Sequence, residues 1–255
     1  MRRYKGYLID LDGTMYRGTE RIEEASDFIQ SLANHNIPYL FVTNNSTKTQ
    51  EEVARVLNGF DIPAEPGQVF TSSMAAARFI MKEQKQPKVL MIGENGLEIP
   101  LKQAGCILTE HDPDAVVMGL DRNITYEKLA KACLAVRNGA SFIVTNSDTA
   151  FPTERGFVPG NGALSSVITV STGVKPAFIG KPEPIMVEQA LELLGVSKED
   201  VLMVGDNYQT DIQAGIRAGV DTLLVHTGVT AKEDLKQYDI QPTFSIESLK
   251  EWDVQ

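Results

Sequence analysis

The chain has 255 residues, which at about 100–200 residues per domain allows one large domain or two modest ones. Apolar residues make up 42% and charged residues 23%, close to the globular average, which excludes a disordered chain. The formal charge of −10, from 24 Lys and Arg against 34 Asp and Glu, argues against sequence-independent binding to nucleic acid, which needs clustered cations.

The two cysteines, Cys106 and Cys133, exclude a disulfide framework, and Cys133 lies in an apolar helical stripe where a buried thiol is expected. No apolar stretch approaches the ~18–20 residues needed to span a bilayer. The basic start Met1–Lys5 is followed only by Tyr7-Leu8-Ile9 before Asp10, short of a signal-peptide core of roughly 7–15 residues. A cytoplasmic protein with no membrane partner is expected.

In chain order, Gly6–Ile9 reads as a strand, 22–34 as a helix and Ile37–Val42 as the next strand. Thr47 and Gln50 have capping-box spacing, predicting a helix from Thr47 to about Leu57. The middle repeats the pattern with strand-like runs at Lys88–Gly93, Ala115–Gly119 and Ser141–Thr145. A helix from Thr125 to about Asn138 puts Leu129, Ala132, Cys133 and Val136 on one face. Val201–Val204 and Thr222–Val225 are unbroken apolar runs of the kind buried on both faces of a parallel sheet. A helix over Gln209–Ala218, with Ile212 and Ile216 on one face and a stop at Gly219, lies between them.

Strands alternating with helices predict an α/β fold, a doubly wound parallel sheet built from right-handed βαβ units. The polar stretch 83–87 and the segment 173–176 read as linkers. They divide the chain into a core of residues 1–82 and 177–255 and an inserted, smaller α/β domain of residues 83–176.

Four polar clusters follow apolar runs, where open parallel sheets bind ligands. In Asp10-Leu11-Asp12-Gly13-Thr14, residues two apart point the same way, so two carboxylates can face one crevice and a hard cation; an acidic strand end turning at Gly13 reads equally well. Thr43-Asn44-Asn45-Ser46 offers a hydroxyl and backbone N–H groups to a phosphoryl oxygen, or an ordinary turn. Gly180-Lys181-Pro182 follows Ala177-Phe178-Ile179 and presents an amine that neutralises phosphate or is simply solvated. Gly205-Asp206 through Asp211 gives two more acids, as cation ligands or as residues favoured by a helix dipole. All four are expected at the ends of strands of one sheet. Together they hold the parts for metal-assisted phosphoryl transfer to a carboxylate.

This ordered set resembles that of the haloacid-dehalogenase-superfamily phosphatases, in particular the NagD-type branch with a large α/β cap. The resemblance covers nearly the whole chain and includes Thr145-Asn146-Ser147-Asp148 and Pro159–Leu164. It implies Asp10 as the nucleophile that becomes an aspartyl-phosphate and Asp12 as the acid and base. It also implies Thr43, the Asn44 amide and neighbouring Asn45 as the phosphoryl grip, and Lys181 as the balancing cation. Mg²⁺ would sit among Asp10, Asp12, Asp206 and Asp211, the last directly or through water.

In the cap, Asn146, Asp148 and Arg155 are the residues expected to contact the substrate, Arg155 through a carboxylate, with a solvated surface Arg as the alternative. The resemblance implies a small phosphorylated metabolite, first an acid-sugar phosphate, next a nucleoside monophosphate with Phe151 or Phe157 stacking on the base, or broad hydrolysis of p-nitrophenyl phosphate. It also allows a homodimer through the cap. A phosphomutase shares the paired acids. A receiver-type phospho-acceptor is opposed by the length of the chain and by an acceptor Asp on the first strand.

Overall fold

The computed structural model describes residues 3–153 and 155–254. Met1 and Arg2 of the basic amino terminus lie outside them. The chain opens with β1 (Gly6–Ile9), a short hairpin of β2 (Tyr16–Arg17) and β3 (Glu20–Arg21), α1 (Glu23–Asn34), β4 (Tyr39–Thr43), α2 (Gln50–Gly59) and β5 (Val69–Thr71). Next come α3 (Ser72–Glu83), β6 (Lys88–Ile92), α4 (Asn95–Ala104), β7 (Ile107–Leu108), β8 (Ala115–Met118), α5 (Tyr126–Arg137) and β9 (Ser141–Val144). A hairpin of β10 (Ala150–Thr153) and β11 (Gly156–Pro159) leads to α6 (Asn161–Thr172) and β12 (Ala177–Phe178). The remainder is α7 (Pro184–Leu194), β13 (Val201–Gly205), α8 (Gln213–Ala218), β14 (Asp221–Val225) and β15 (Phe244–Ile246).

The described residues form two compact units, one of residues 3–43, 50–70 and 181–254 and the other of residues 44–49, 71–153 and 155–180. The second unit begins ahead of position 83 because α3 packs against α4. No helix among the described residues is long and apolar enough to cross a membrane.

The first unit is built on a six-stranded sheet in the order β15-β14-β13-β1-β4-β5. β1 runs parallel to both β13 and β4, and β14 runs parallel to β13 and β15. Alternate side chains explain why these strands read as unbroken apolar runs. Tyr7, Ile9, Phe41, Leu202, Val204 and Leu223 pack under α1 and α2 through Phe28, Ile29, Leu32, Val53 and Leu57. Leu8, Leu40, Val42, Met203 and Leu224 point the other way and are buried as well. α7 lies against β1 and β4, and α8 against β14. The sheet is therefore doubly wound, as expected. From β1 the chain moves outward through β4 and β5, then returns to β13 on the other side. That reversal places a topological switch point beside β1, where ligand crevices form.

The second unit holds a five-stranded sheet in the order β12-β9-β8-β6-β7, all parallel. Leu90, Ile92, Val116, Met118, Phe142 and Val144 form a core with Ala132, Val136 and Ile168 of α5 and α6. Thr125 caps α5 by accepting from the Lys128 N–H, at the position where the helix was expected to start. Cys133 is half-buried against this core rather than fully buried, and both cysteines are free thiols.

Three expectations change. Ala177–Phe178 is an edge strand of the second sheet, paired with β9, so only three of the four polar clusters follow strands of one sheet. Lys181 instead sits on the connection leading into α7. Second, α2 begins at Gln50 rather than Thr47, because the Gln50 amide donates to the carbonyls of Pro66 (3.0 Å) and Val69 (2.6 Å) instead of closing a capping box. Third, the Gln209–Ala218 segment is not one α-helix: Tyr208–Ile212 forms a single π turn before α8.

Phe41, fully buried in the first core, sits two residues before Thr43. Phe41→Ala should destabilise the first unit by about 3–5 kcal/mol, read as a lower denaturant midpoint with little change in slope.

Candidate active site

Parallel register brings the first site together. Ile9 pairs with Val204 on one side and Phe41 on the other, so Asp10, Thr43 and Asp206 leave three adjacent strands at the same edge. Asp10 is anchored by its own N–H to the Val204 carbonyl at 2.9 Å. Asp211 arrives through the π turn: its N–H donates to the Asn207 carbonyl at 2.9 Å, and its Oδ2 accepts the Asn207 N–H at 3.1 Å. Single π turns widen a helix and redirect a side chain. Here the widened turn carries an acid that an ordinary helix would place differently.

Lys181 is 2% exposed. Its ammonium lies 2.5 Å from Asp10 Oδ1 and 2.7 Å from Asp211 Oδ1, and it donates to the Val42 carbonyl at 2.9 Å. Asp10, Asp206 and Asp211 each offer an oxygen within 4.8 Å of the others. Asp12 is exposed and its Oδ1 accepts the Gly18 N–H from the β2–β3 hairpin at 3.3 Å. Thr43 is buried at the end of β4. Val229 belongs to none of the four polar clusters, and Thr14 enters only as the last residue of the first, with no partner assigned to it from sequence. Yet Thr14 Oγ1 donates to Asp206 Oδ1 at 3.4 Å, and the Val229 N–H to Asp206 Oδ2 at 2.7 Å. The available signal was Gly228 just beyond β14, another strand end of the same sheet.

The charges do not balance. Burial, then the neighbouring Asp211, holds the Asp10 carboxyl well above the usual carboxylate range, against the pull of Lys181. Burial and Asp211 push Asp206 up to about 7, with the Val229 N–H and Lys181 opposing. Burial works to neutralise Lys181, but Asp10 and Asp211 outweigh it and keep the ammonium charged. One ammonium thus faces three clustered carboxylates. That donor set, oxygen only and short of positive charge, fits a hard divalent cation.

The other expected residues lie in the second unit. Asn44 Nδ2 donates to both carboxylate oxygens of Asp148 at 3.2 and 3.3 Å, and the Asn44 carbonyl accepts from Asn146 Nδ2 and Ser72 Oγ, each at 2.8 Å. Asn45 Oδ1 accepts the N–H groups of Thr47 and Lys48, each at 2.9 Å, which is the ordinary turn weighed from sequence. Arg155 is exposed at the turn between β10 and β11, apart from that network.

Residues 7–107 match the family model described as haloacid dehalogenase-like hydrolase, and residues 178–252 match a second, HAD-hydrolase-like one. The 5′-nucleotidase YutF of Bacillus subtilis is 58% identical, over 99% of this chain and 98% of its own. The acid sugar phosphatase of Staphylococcus haemolyticus is 56% identical, over 98% and 95%. The chain belongs to the haloacid dehalogenase-like hydrolases. Within this family its fold is similar to that of NagD from E. coli K-12, with a TM-score of 0.94 at 33% identity over 100% of both chains. The likeness to the NagD-type branch read from the motif order therefore extends over the full length of this hydrolase.

The buried ammonium gives a direct test of the electrostatics. In the presence of a chelator, Lys181→Met should destabilise this haloacid dehalogenase-like hydrolase by about 3–5 kcal/mol, because it leaves buried carboxylates without their partner. Chemical denaturation compared with the parent chain reads the difference.

Proposed function

We propose that this hydrolase is a cytoplasmic phosphomonoesterase that passes a phosphoryl group from a small metabolite to Asp10 and then to water. Mg²⁺ would be held by Asp10, Asp206 and Asp211 and by the backbone carbonyl of Asp12. The observation that carries this reading is the Lys181 ammonium, at 2.5 Å from Asp10 Oδ1 inside a cluster of three carboxylates. An isolated ion pair needs no further acids.

In the first half-reaction an Asp10 oxygen attacks phosphorus and the ester P–O bond breaks. The leaving oxygen takes its proton from the Asp12 carboxyl group. In the second, water attacks phosphorus, Asp12 accepts the proton of that water, and inorganic phosphate leaves a restored Asp10. Lys181 holds the Asp10 carboxylate in place, while the Thr43 hydroxyl and the Asn44 N–H grip phosphoryl oxygens. A cation bound there would supply charge neutralisation, which with positioning is most of what such transfers need.

The inserted segment 83–176 is proposed to act as the cap that selects the leaving group, with Asn146, Asp148 and Arg155 as its polar readers. Acid-sugar phosphates are the first substrate class, supported by the name of the 56% identical relative and by a cationic Arg155 suited to a carboxylate. Nucleoside monophosphates are the second, supported by the name of the 58% identical relative and by Phe157, 80% exposed on β11.

One experiment covers the reading: phosphate release from acid-sugar, neutral-sugar and nucleotide monophosphates, with and without Mg²⁺. Turnover should be fastest on an acid-sugar phosphate and should require the cation. Asp10→Asn should abolish it with the fold intact, and Arg155→Ala should erase the preference for carboxylated substrates. Near-normal turnover by Asp10→Asn would remove the nucleophile assignment, and a single equivalent of phosphate would favour the receiver-type alternative.

A further inference from the structure

A loop after β14 grips Asp206 without belonging to any of the four motifs. It runs from His226 to Thr230 and is closed by His226, whose Nδ1 pairs with the Thr230 carbonyl at 2.9 Å and Nε2 with Ser245 Oγ at 2.7 Å. From this loop the Val229 N–H donates to Asp206 Oδ2 at 2.7 Å, and the Thr230 N–H donates to the Asp206 carbonyl at 3.1 Å. Thr230 Oγ1 accepts the Tyr208 N–H at 2.8 Å, which ties the loop to the π turn carrying Asp211.

The loop is fastened on its other side to the segment that carries the paired acids. Thr227 Oγ1 donates to the Gly13 carbonyl at 2.7 Å, and the Arg17 guanidinium donates to the Thr227 carbonyl. The space around the carboxylate is already full. A Cβ at Gly228 would lie 1.9 Å from Asp206 Oδ2, and one at Gly13 2.3 Å from the same atom. Two glycine backbones and one N–H therefore crowd Oδ2, while Oδ1 accepts only the long Thr14 hydroxyl contact at 3.4 Å.

We propose that the Thr227–Val229 loop positions the Asp206 carboxylate for divalent-cation binding, with the Thr227 hydroxyl as the positioning group that clasps the loop to the Gly13 carbonyl. The inference rests on the reading of Asp206 as a cation ligand. It adds that the cation affinity is set partly by a hydroxyl that touches neither cation nor substrate. Outer partners of metal ligands commonly act this way, by holding the ligand's orientation. Thr227 is half-buried and Gly228 exposed, so the clasp can be removed without opening the core.

Isothermal titration of the full chain with Mg²⁺ alone tests it, alongside thermal unfolding in a chelator. Thr227→Val should weaken Mg²⁺ binding by about tenfold with the unfolding midpoint unchanged, and Thr227→Ser should restore the affinity. In turnover assays Thr227→Val should regain its kcat at saturating Mg²⁺, a split that a merely structural role would not give. If Thr227→Val fails to fold, Gly228→Ala, whose Cβ must displace the carboxylate, should show the same weakening. Parent-like Mg²⁺ affinity in the folded variant, or no rescue by serine, overturns the inference while Asp206→Asn still abolishes binding. Unchanged binding in Asp206→Asn overturns the cation-ligand reading and the inference with it.

Discussion

The Lys181 ammonium, buried between Asp10 Oδ1 and Asp211 Oδ1, is the interaction on which the rest of the site depends. Three carboxylates whose oxygens lie within 4.8 Å of one another repel strongly once removed from water. One internal cation offsets part of that repulsion and leaves a residue of negative charge. The remaining imbalance suits a divalent cation, the ligand proposed for this cluster.

The fold makes this arrangement reachable. β1 lies at the centre of the sheet with β13 and β4 on either side, so three polar groups from distant parts of the sequence leave the sheet side by side. Apolar side chains on both faces hold the strands, which means the register is fixed by packing and the site inherits that precision. The fourth contributor reaches the cluster differently. Lys181 lies on a connection rather than a strand end, between the edge strand β12 and the start of α7, and its own hydrogen bond to the Val42 carbonyl sets its position.

Much of this was readable from residue order. β1, β13 and β14 announce themselves because strands buried on both faces carry no polar alternation, and α5 does so because Thr125 caps a regular apolar stripe. Asp10 and Asp206 were legible because each directly follows a recognisable apolar run, and Asp211 because it lies in the same polar stretch as Asp206. What could not be read depended on partners distant in sequence. Ala177–Phe178 looks the same whichever sheet it joins, and only its pairing with β9 decides. Gln50 has the spacing of a capping residue, but carbonyls 16 and 19 residues away compete for its amide. The π turn at Asp211 and the grip of Val229 on Asp206 are backbone geometry, which side-chain patterns do not encode. Asn44 shows the same limit, since its side chain is claimed by Asp148, 104 positions on.

The central claim is that the Asp10 carboxylate accepts phosphorus covalently. Acid-quenched mixing of the enzyme with a phosphomonoester and Mg²⁺, followed by proteolysis and mass spectrometry, tests it most directly. The account predicts a transient phosphate on the peptide bearing Asp10, formed and lost at the rate of turnover. Steady turnover with no phosphorylated peptide at any time point, or with phosphate on a residue other than Asp10, would contradict it.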